Sequence, residues 1–253
     1  MLGIDHLVIA VRDPDAAAAE LERELGLAFT GGGRHEGAGT WNRLAFLGDS
    51  YVELIGVFDR GLVLANPDFA VGRAALELLD AGGEGLATWA VAVDDCHTEV
   101  ARLRSLGARI GDPVRGSRVR PDGETVRWVT AFPELGPDRP PFLIEHEMRG
   151  PEWGPEALAA RRAYRHPRLG AVRIGRLVLP VADPAAYAAQ CEDTVGIRFR
   201  ADVSGWTAFF GFDTVHLHAT ASGLPVVQLE TISLDIERRS LPRFGVDWFV
   251  SPA

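Results

Sequence analysis

Val8–Gly26 reads "VIAVRDPDAAAAELERELG", and each part of it has a mechanical meaning. The β-branched apolar run suits a buried strand. Asp13 suits a helix N-cap, because its carboxylate can accept from the free backbone N–H groups of the first turn. Pro14 suits the first helical position, where a missing N–H costs little, and Gly26 suits the left-handed residue that ends a helix. The stretch predicts a strand, a cap, a helix and a stop.

The same grammar occurs twice more. "AVAVDDCHTEVARLRSLG" begins at Ala90 and "LVLPVADPAAYAAQCEDTVG" at Leu177, with caps at Asp95 and Asp183 and stops at Gly107 and Gly196. Cap and glycine are 13, 12 and 13 residues apart in the three copies (26 − 13, 107 − 95, 196 − 183). Strand-like segments follow each glycine, separated by turn signals such as "LGDS" and "PDGE". They fall near 28–35, 41–47 and 51–57, then 109–118, 125–131 and 142–147. In the third copy they fall near 197–201, 206–210, 215–219 and 226–232. Each unit is therefore β-α-β-β-β.

This divides the chain into a first domain, 1–150, with modules at 1–60 and 84–148 joined by a helical connector at 61–83. A second region, 151–253, holds a linker helix near 155–164, the linker "RHPRLG" and the third module. The connector's helix is expected over 66–80. The class is α+β. A third unit without a fourth partner would pack against the first pair or close a homodimer, burying an otherwise open sheet edge.

Composition narrows the function. At 253 residues, 47% hydrophobic and 24% charged, the chain can bury a large core. A net charge of −9 argues against binding nucleic acid through its phosphates. No apolar run is long enough for a membrane span, and "MLGID" lacks a basic leader. The two cysteines, Cys96 and Cys191, fall in expected helices and form no disulfide framework, which suits the cytoplasm. No lysine occurs, which excludes Schiff-base chemistry and a P-loop.

The repeated units, with "GRHEGAGTWNRLAFLGDSYVELIGV", "RPDGETVRWVTAF" and "PPFLIEHE", resemble the vicinal oxygen chelate superfamily and, within it, its glyoxalase-like domain branch. The resemblance implies paired modules curled into a cupped mixed sheet around a metal or small ligand. It also implies metal ligands on the first and last strand of each module. Carried over by position, these are His6 and Glu53 in the first module and Glu145 in the second. The fourth position, at an offset of 82 (95 − 13), is Thr88. In the third module the corresponding positions hold Arg176 and Gln228.

One imidazole and two carboxylates would favour a harder divalent ion such as Mn, Fe, Ni, Co or Mg, and no metal at all is the alternative. With a metal, the resemblance implies lyase or isomerase chemistry through an enolate on a small oxygenated metabolite. Without one, it implies either a small-molecule binding or drug-sequestering protein, or an enzyme with His35 or Glu145 as general base. Thr88 in place of a histidine argues against an iron dioxygenase.

Alternation along the strands puts His6 on one face with Ile4, Val8 and Ala10, and Thr88 on one face with Ala90 and Ala92. That second face is small, so either bulky neighbours or a ligand must fill the space, and a ligand is the expectation. Thr88, Asn42 and Trp41 are candidate substrate contacts, with Arg120, Arg127 and Trp128 beside them. The arginines around "PDGE", Arg118 included, could hold a substrate carboxylate bidentately or simply be a solvated hairpin. Trp128 could wall the pocket or fill the core. The pair His216 and His218 reads as an ordinary half-exposed strand.

Overall fold

Asp13, Asp95 and Asp183 cap three helices through their side chains, accepting from the backbone N–H groups of Ala16, Thr98 and Ala186. Gly26, Gly107 and Gly196 follow in the left-handed region at φ 84°, 89° and 71°. The computed structural model describes residues 3–66, 68–133, 140–220, 222–233 and 237–253.

The first module contains β1 (Gly3–Ala10), α1 (Pro14–Leu25), β2 (Gly31–His35), β3 (Thr40–Leu47) and β4 (Ser50–Val57). Two connector helices follow, α2 (Arg60–Ala65) and α3 (Ala70–Asp80). The single helix expected over 66–80 is thus shorter, and the Pro67 within that span lies outside the described residues. The second module contains β5 (Gly85–Ala92), α4 (Cys96–Ser105), β6 (Val114–Val119), β7 (Thr125–Ala131) and β8 (Phe142–His146).

These eight strands close into a barrel in the order β1-β4-β3-β2-β6-β7-β8-β5. β1 runs parallel to β4 and antiparallel to β5, which in turn runs parallel to β8. At the seam between β2 and β6, only Arg34 and Val119 pair in register. Gly33 makes that approach possible: a Cβ there would lie 2.1 Å from the Val119 carbonyl oxygen. Gly33→Ala should therefore spread the seam and cost about 2–4 kcal/mol. Urea denaturation would measure it, and a loss below about 0.5 kcal/mol would show that the seam does not depend on close contact.

Past the linker helices α5 (Gly150–Trp153) and α6 (Pro155–Ala163) come β9 (Val172–Val181), α7 (Pro184–Val195), β10 (Arg200–Asp202), β11 (Gly205–Phe210) and β12 (Asp213–Ala219). Three more strands complete the chain: β13 (Val226–Thr231), β14 (Arg239–Arg243) and β15 (Val246–Pro252). The second sheet runs β10-β11-β12-β9-β13-β15-β14.

Its pairings repeat those of the barrel. β9 is parallel to β12 and antiparallel to β13, and β13 is parallel to β15. The strand over 226–231 therefore does not finish the third module, as its sequence suggested. It opens a fourth, reduced one that, among the described residues, has no cap-and-helix segment and no counterpart of β6. The third module does have a partner, and without that counterpart the second sheet stays open.

One apolar cluster joins the two sheets, packing Leu7, Trp89, Val91 and Leu143 with Leu177, Tyr187, Leu217 and Trp248. The third module thus packs against the first pair. At the sheet edge, Arg243 on β14 pairs with Glu20 and Glu24 of α1, and Arg239 donates to the Leu25 carbonyl. A second cluster lies inside the barrel. There Val71, Ala74 and Ala75 of α3 pack with Val8, Ala10, Ile55 and Ala90. The small face of β5 is therefore filled by a helix rather than a ligand. Both cysteines are free and buried, and burial pushes each thiol up to about 12. No helix among the described residues is long and apolar enough to cross a membrane.

Candidate active site in the barrel cup

The site starts from an irregularity in β1. In the pairing with β5, Ile4 faces Val91 and His6 faces Ala90, so Asp5 is the extra residue of a β-bulge, and Ile4 packs in the cluster between the sheets instead of sharing the His6 face as strict alternation predicts. The bulge sets an aspartate beside the inward His6, and both are buried. Asp5 Oδ1 accepts from His6 Nδ1 at 2.6 Å and from His146 Nε2 at 3.0 Å. Burial acts to raise this carboxyl, but the His146 and His6 imidazoles outweigh it and hold Asp5 well below the usual carboxylate range. Asp5 is thus an ionised, buried acceptor shared by two rings.

The free edge of His6 faces Glu53, with Nε2 3.6 Å from Oε2. Asn42 on β3 donates from Nδ2 to the other Glu53 oxygen at 2.6 Å. Tyr51 stacks on His6 with ring centroids 4.4 Å apart. Its phenol is raised well above its ordinary value, first by burial and then by the Asp5 and Glu53 charges, so it stays protonated. These groups line a cavity of about 50 Å³ together with His35, Arg118, Trp128, His146, Glu152 and Trp153. That is room for a few waters or the core of a compact metabolite. Two polar atoms in its wall, Asn42 Oδ1 and His146 Nδ1, are buried with no hydrogen-bond partner.

His35 ends β2, and its Nδ1 lies 2.8 Å from Thr40 Oγ1. Burial, and secondarily the Arg118 charge, pushes its imidazolium down to about 3. At neutral pH it is an uncharged ring, suited to donating or accepting a hydrogen bond and poorly suited to holding a proton.

The expected ligand set does not assemble. Glu145 sits between the cavity residues Ile144 and His146, so alternation turns it outward, where its carboxylate accepts from Cys96 N at 2.9 Å at the start of α4. It caps a helix and is in reach of neither a metal nor a substrate proton in the cup. Among the described residues no three His, Cys, Asp or Glu groups converge as a metal site requires. His6 and Glu53 do converge, but Glu53 already accepts from Asn42 and the imidazole is held by Asp5.

Of the other candidates, Asn42 and Trp128 line the cup, whereas Thr88 does not. Thr88 stands opposite Val8 in the β1–β5 register, on the stretch covered by α3. Trp41 alternates outward and lines a groove over Gly31–Gly33 rather than the cavity. Arg120 sits at the rim, bonded to Asp122 and Glu152, and Arg127 is exposed beside Glu147. Sequence reasoning passed over Asp5, Tyr51, His146, Glu152 and Trp153. For His146 a signal existed: Phe142, Ile144 and His146 share one alternating face.

A family model for the glyoxalase-like domain matches residues 4–195. A hypothetical protein from Staphylococcus aureus has a similar solved structure, at 13% identity and a TM-score of 0.80 over 99% of each chain. A methylmalonyl-CoA epimerase variant from Streptomyces coelicolor, in complex with 2-nitronate-propionyl-CoA, is 23% identical. It covers 57% of this chain and 96% of its own, with a TM-score of 0.41. The Mycobacterium tuberculosis epimerase is 21% identical over 57% of this chain and 86% of its own, with a TM-score of 0.40. A search of curated proteins finds no match. From the extent of the family match, and with a fold shared along its whole length, this chain belongs to the glyoxalase-like domain family.

Proposed function

We propose that the cup is an acid–base site that moves a proton on a carbon next to a carbonyl of a small oxygenated metabolite, without a metal. The observation that carries this reading is the buried Asp5–His6–Glu53 array, whose His6 and Glu53 line the cavity while Asp5 backs the imidazole from behind. Asp5 fixes the His6 tautomer with Nδ1–H toward itself, which leaves Nε2 to take the proton. The C–H bond breaks, its electron pair passes to the carbonyl oxygen, and the imidazolium formed lies between two carboxylates that stabilise it. Neutral His35 and the protonated Tyr51 are the cup's uncharged donors for the enolate oxygen. Return of the proton completes an isomerisation or epimerisation.

The test is deuterium wash-in from D2O, followed by proton NMR on small carbonyl compounds such as pyruvate, 2-oxobutyrate and dihydroxyacetone. The wild-type protein should catalyse exchange on at least one of them, and His6→Gln should lower that rate by about 10²–10⁴-fold. Treatment with chelator should leave the rate unchanged. Stoichiometric divalent metal by elemental analysis, with activity lost on its removal, would replace this reading with the metal-assisted one. The aromatic lining of the cup by Tyr51, Trp128, Phe142 and Trp153 favours a second reading, a sequestering protein, which predicts saturable binding with exchange at the background rate.

A further inference from the structure

Glu152 lies outside every repeat, on the four-residue helix α5, yet its side chain is only 2% exposed and lines the cavity. Its carboxylate is held by two arginines. Arg118 Nη2 donates to Oε1, and Arg120 Nη1 donates to Oε2 at 2.8 Å. Arg118 is itself 3% exposed and also donates to the Gly32 carbonyl. The next residue, Trp153, stacks on His146 with ring centroids 3.4 Å apart and planes 10° from parallel. The linker therefore places a carboxylate and an aromatic ring side by side in the wall of the cup.

A buried ion pair is a weak source of stability, because desolvation of both partners offsets their attraction. Here it has a second consequence: the cavity already contains an anion site, built for the planar carboxylate that two arginines recognise. We propose that Glu152 stands in for the substrate's own carboxylate. The metabolite is then a small carbonyl compound bearing a carboxylate, which displaces Glu152 from Arg118 and Arg120 and lifts Trp153 from His146. This rests on the acid–base reading for what happens afterwards, but the exchange of carboxylates does not depend on it.

Three further observations agree. Asn42 Oδ1 and His146 Nδ1 are buried without hydrogen-bond partners, and lifting Trp153 from His146 would uncover that ring for the polar remainder of such a molecule. The groove outside β2 and β3, about 620 Å³, is lined by Arg34, Arg43 and Arg120, with Asp15 and Asp122 among them, and reaches Asn42, which it shares with the cup. Helix α5 is bounded by Gly150, at φ 75°, and Gly154, so a short segment with permissive ends carries the displaced group.

The experiment titrates pyruvate and its uncharged isostere pyruvamide into the His6→Gln protein, where no chemistry follows binding. It reads Trp153 fluorescence as the difference from the same protein carrying Trp153→Phe. Pyruvate should red-shift Trp153 and pyruvamide should not. Adding Glu152→Gln should tighten pyruvate binding by about tenfold or more by calorimetry, and leave pyruvamide binding unchanged. Equal responses to the two ligands, or pyruvate binding no tighter in Glu152→Gln, would overturn the proposal. If Glu152→Gln does not fold, the paired variant Arg118→Met with Glu152→Met removes both charges. It should lose the pyruvate response, and retention of that response would overturn the proposal as well. A pyruvate response in the His6→Gln protein, together with no deuterium exchange by the wild-type protein on any of the three carbonyl compounds, would refute the acid–base reading and leave this one standing.

Discussion

Asp5→Asn should cost about 3–5 kcal/mol of stability at neutral pH and remove catalysed exchange. The side chain is 4% exposed, and its charge is shared by His6 and His146. Asparagine keeps one acceptor but turns an N–H₂ group toward rings that now donate, so a buried donor is left without a partner. The bulge that carries Asp5 leaves little freedom to reorient. Urea denaturation gives the stability, and a double-mutant cycle with His146→Phe separates the shared bond from simple packing, with a coupling of about 1–3 kcal/mol expected. A loss below about 1 kcal/mol, or exchange at the wild-type rate, would show that the carboxylate neither holds nor orients the rings.

His35→Gln should make the protein markedly more tolerant of acid than the wild type. The imidazole titrates at about 3 when folded and near 6.5 when unfolded, so between those values the unfolded chain binds the extra proton. Stability contributed by the neutral ring is complete above pH 6.5 and drains as the pH falls toward 3, by about 1.4 kcal/mol per pH unit. Asp213 works the other way. Burial raises it to about 6, Arg173 opposing and Glu230 adding to the rise, so it favours the folded state as pH drops from 6 toward 4. That carboxyl is partly solvated and its effect is the weaker one. Melting temperatures of wild type and His35→Gln, measured from pH 7 to pH 4, should therefore diverge in favour of the variant. Parallel curves would mean that His35 takes up its proton in the folded state.

The three capped units were legible because each rule behind them is local. An aspartate cap, a helix and a glycine stop require nothing from the rest of the chain, and they fall where Asp13, Asp95 and Asp183 place them. The reduced fourth module was not legible, because the cap-and-helix signature that identifies a unit is the part it lacks. The site was half legible. His6, Asn42, Glu53 and Trp128 follow from simple alternation and do meet in the cup. Glu145 was misplaced by one residue in a period of two, which sends a side chain to the opposite face. Asp5 depends on a bulge, and a bulge is set by a partner strand some eighty residues away. Glu152 and Trp153 arrive from a linker with no periodicity at all, so only tertiary packing reveals them.

The unclosed second sheet leaves two bare flanks of backbone, a standing invitation for another chain to add itself as the next strand. Along β14 that invitation is withdrawn: Pro242 has no N–H to offer, and Arg239 and Arg243 tie the flank down onto α1. The same tethers hold the open sheet against the closed barrel, so neutralising those two arginines would promote self-association and loosen the union of the halves in a single step.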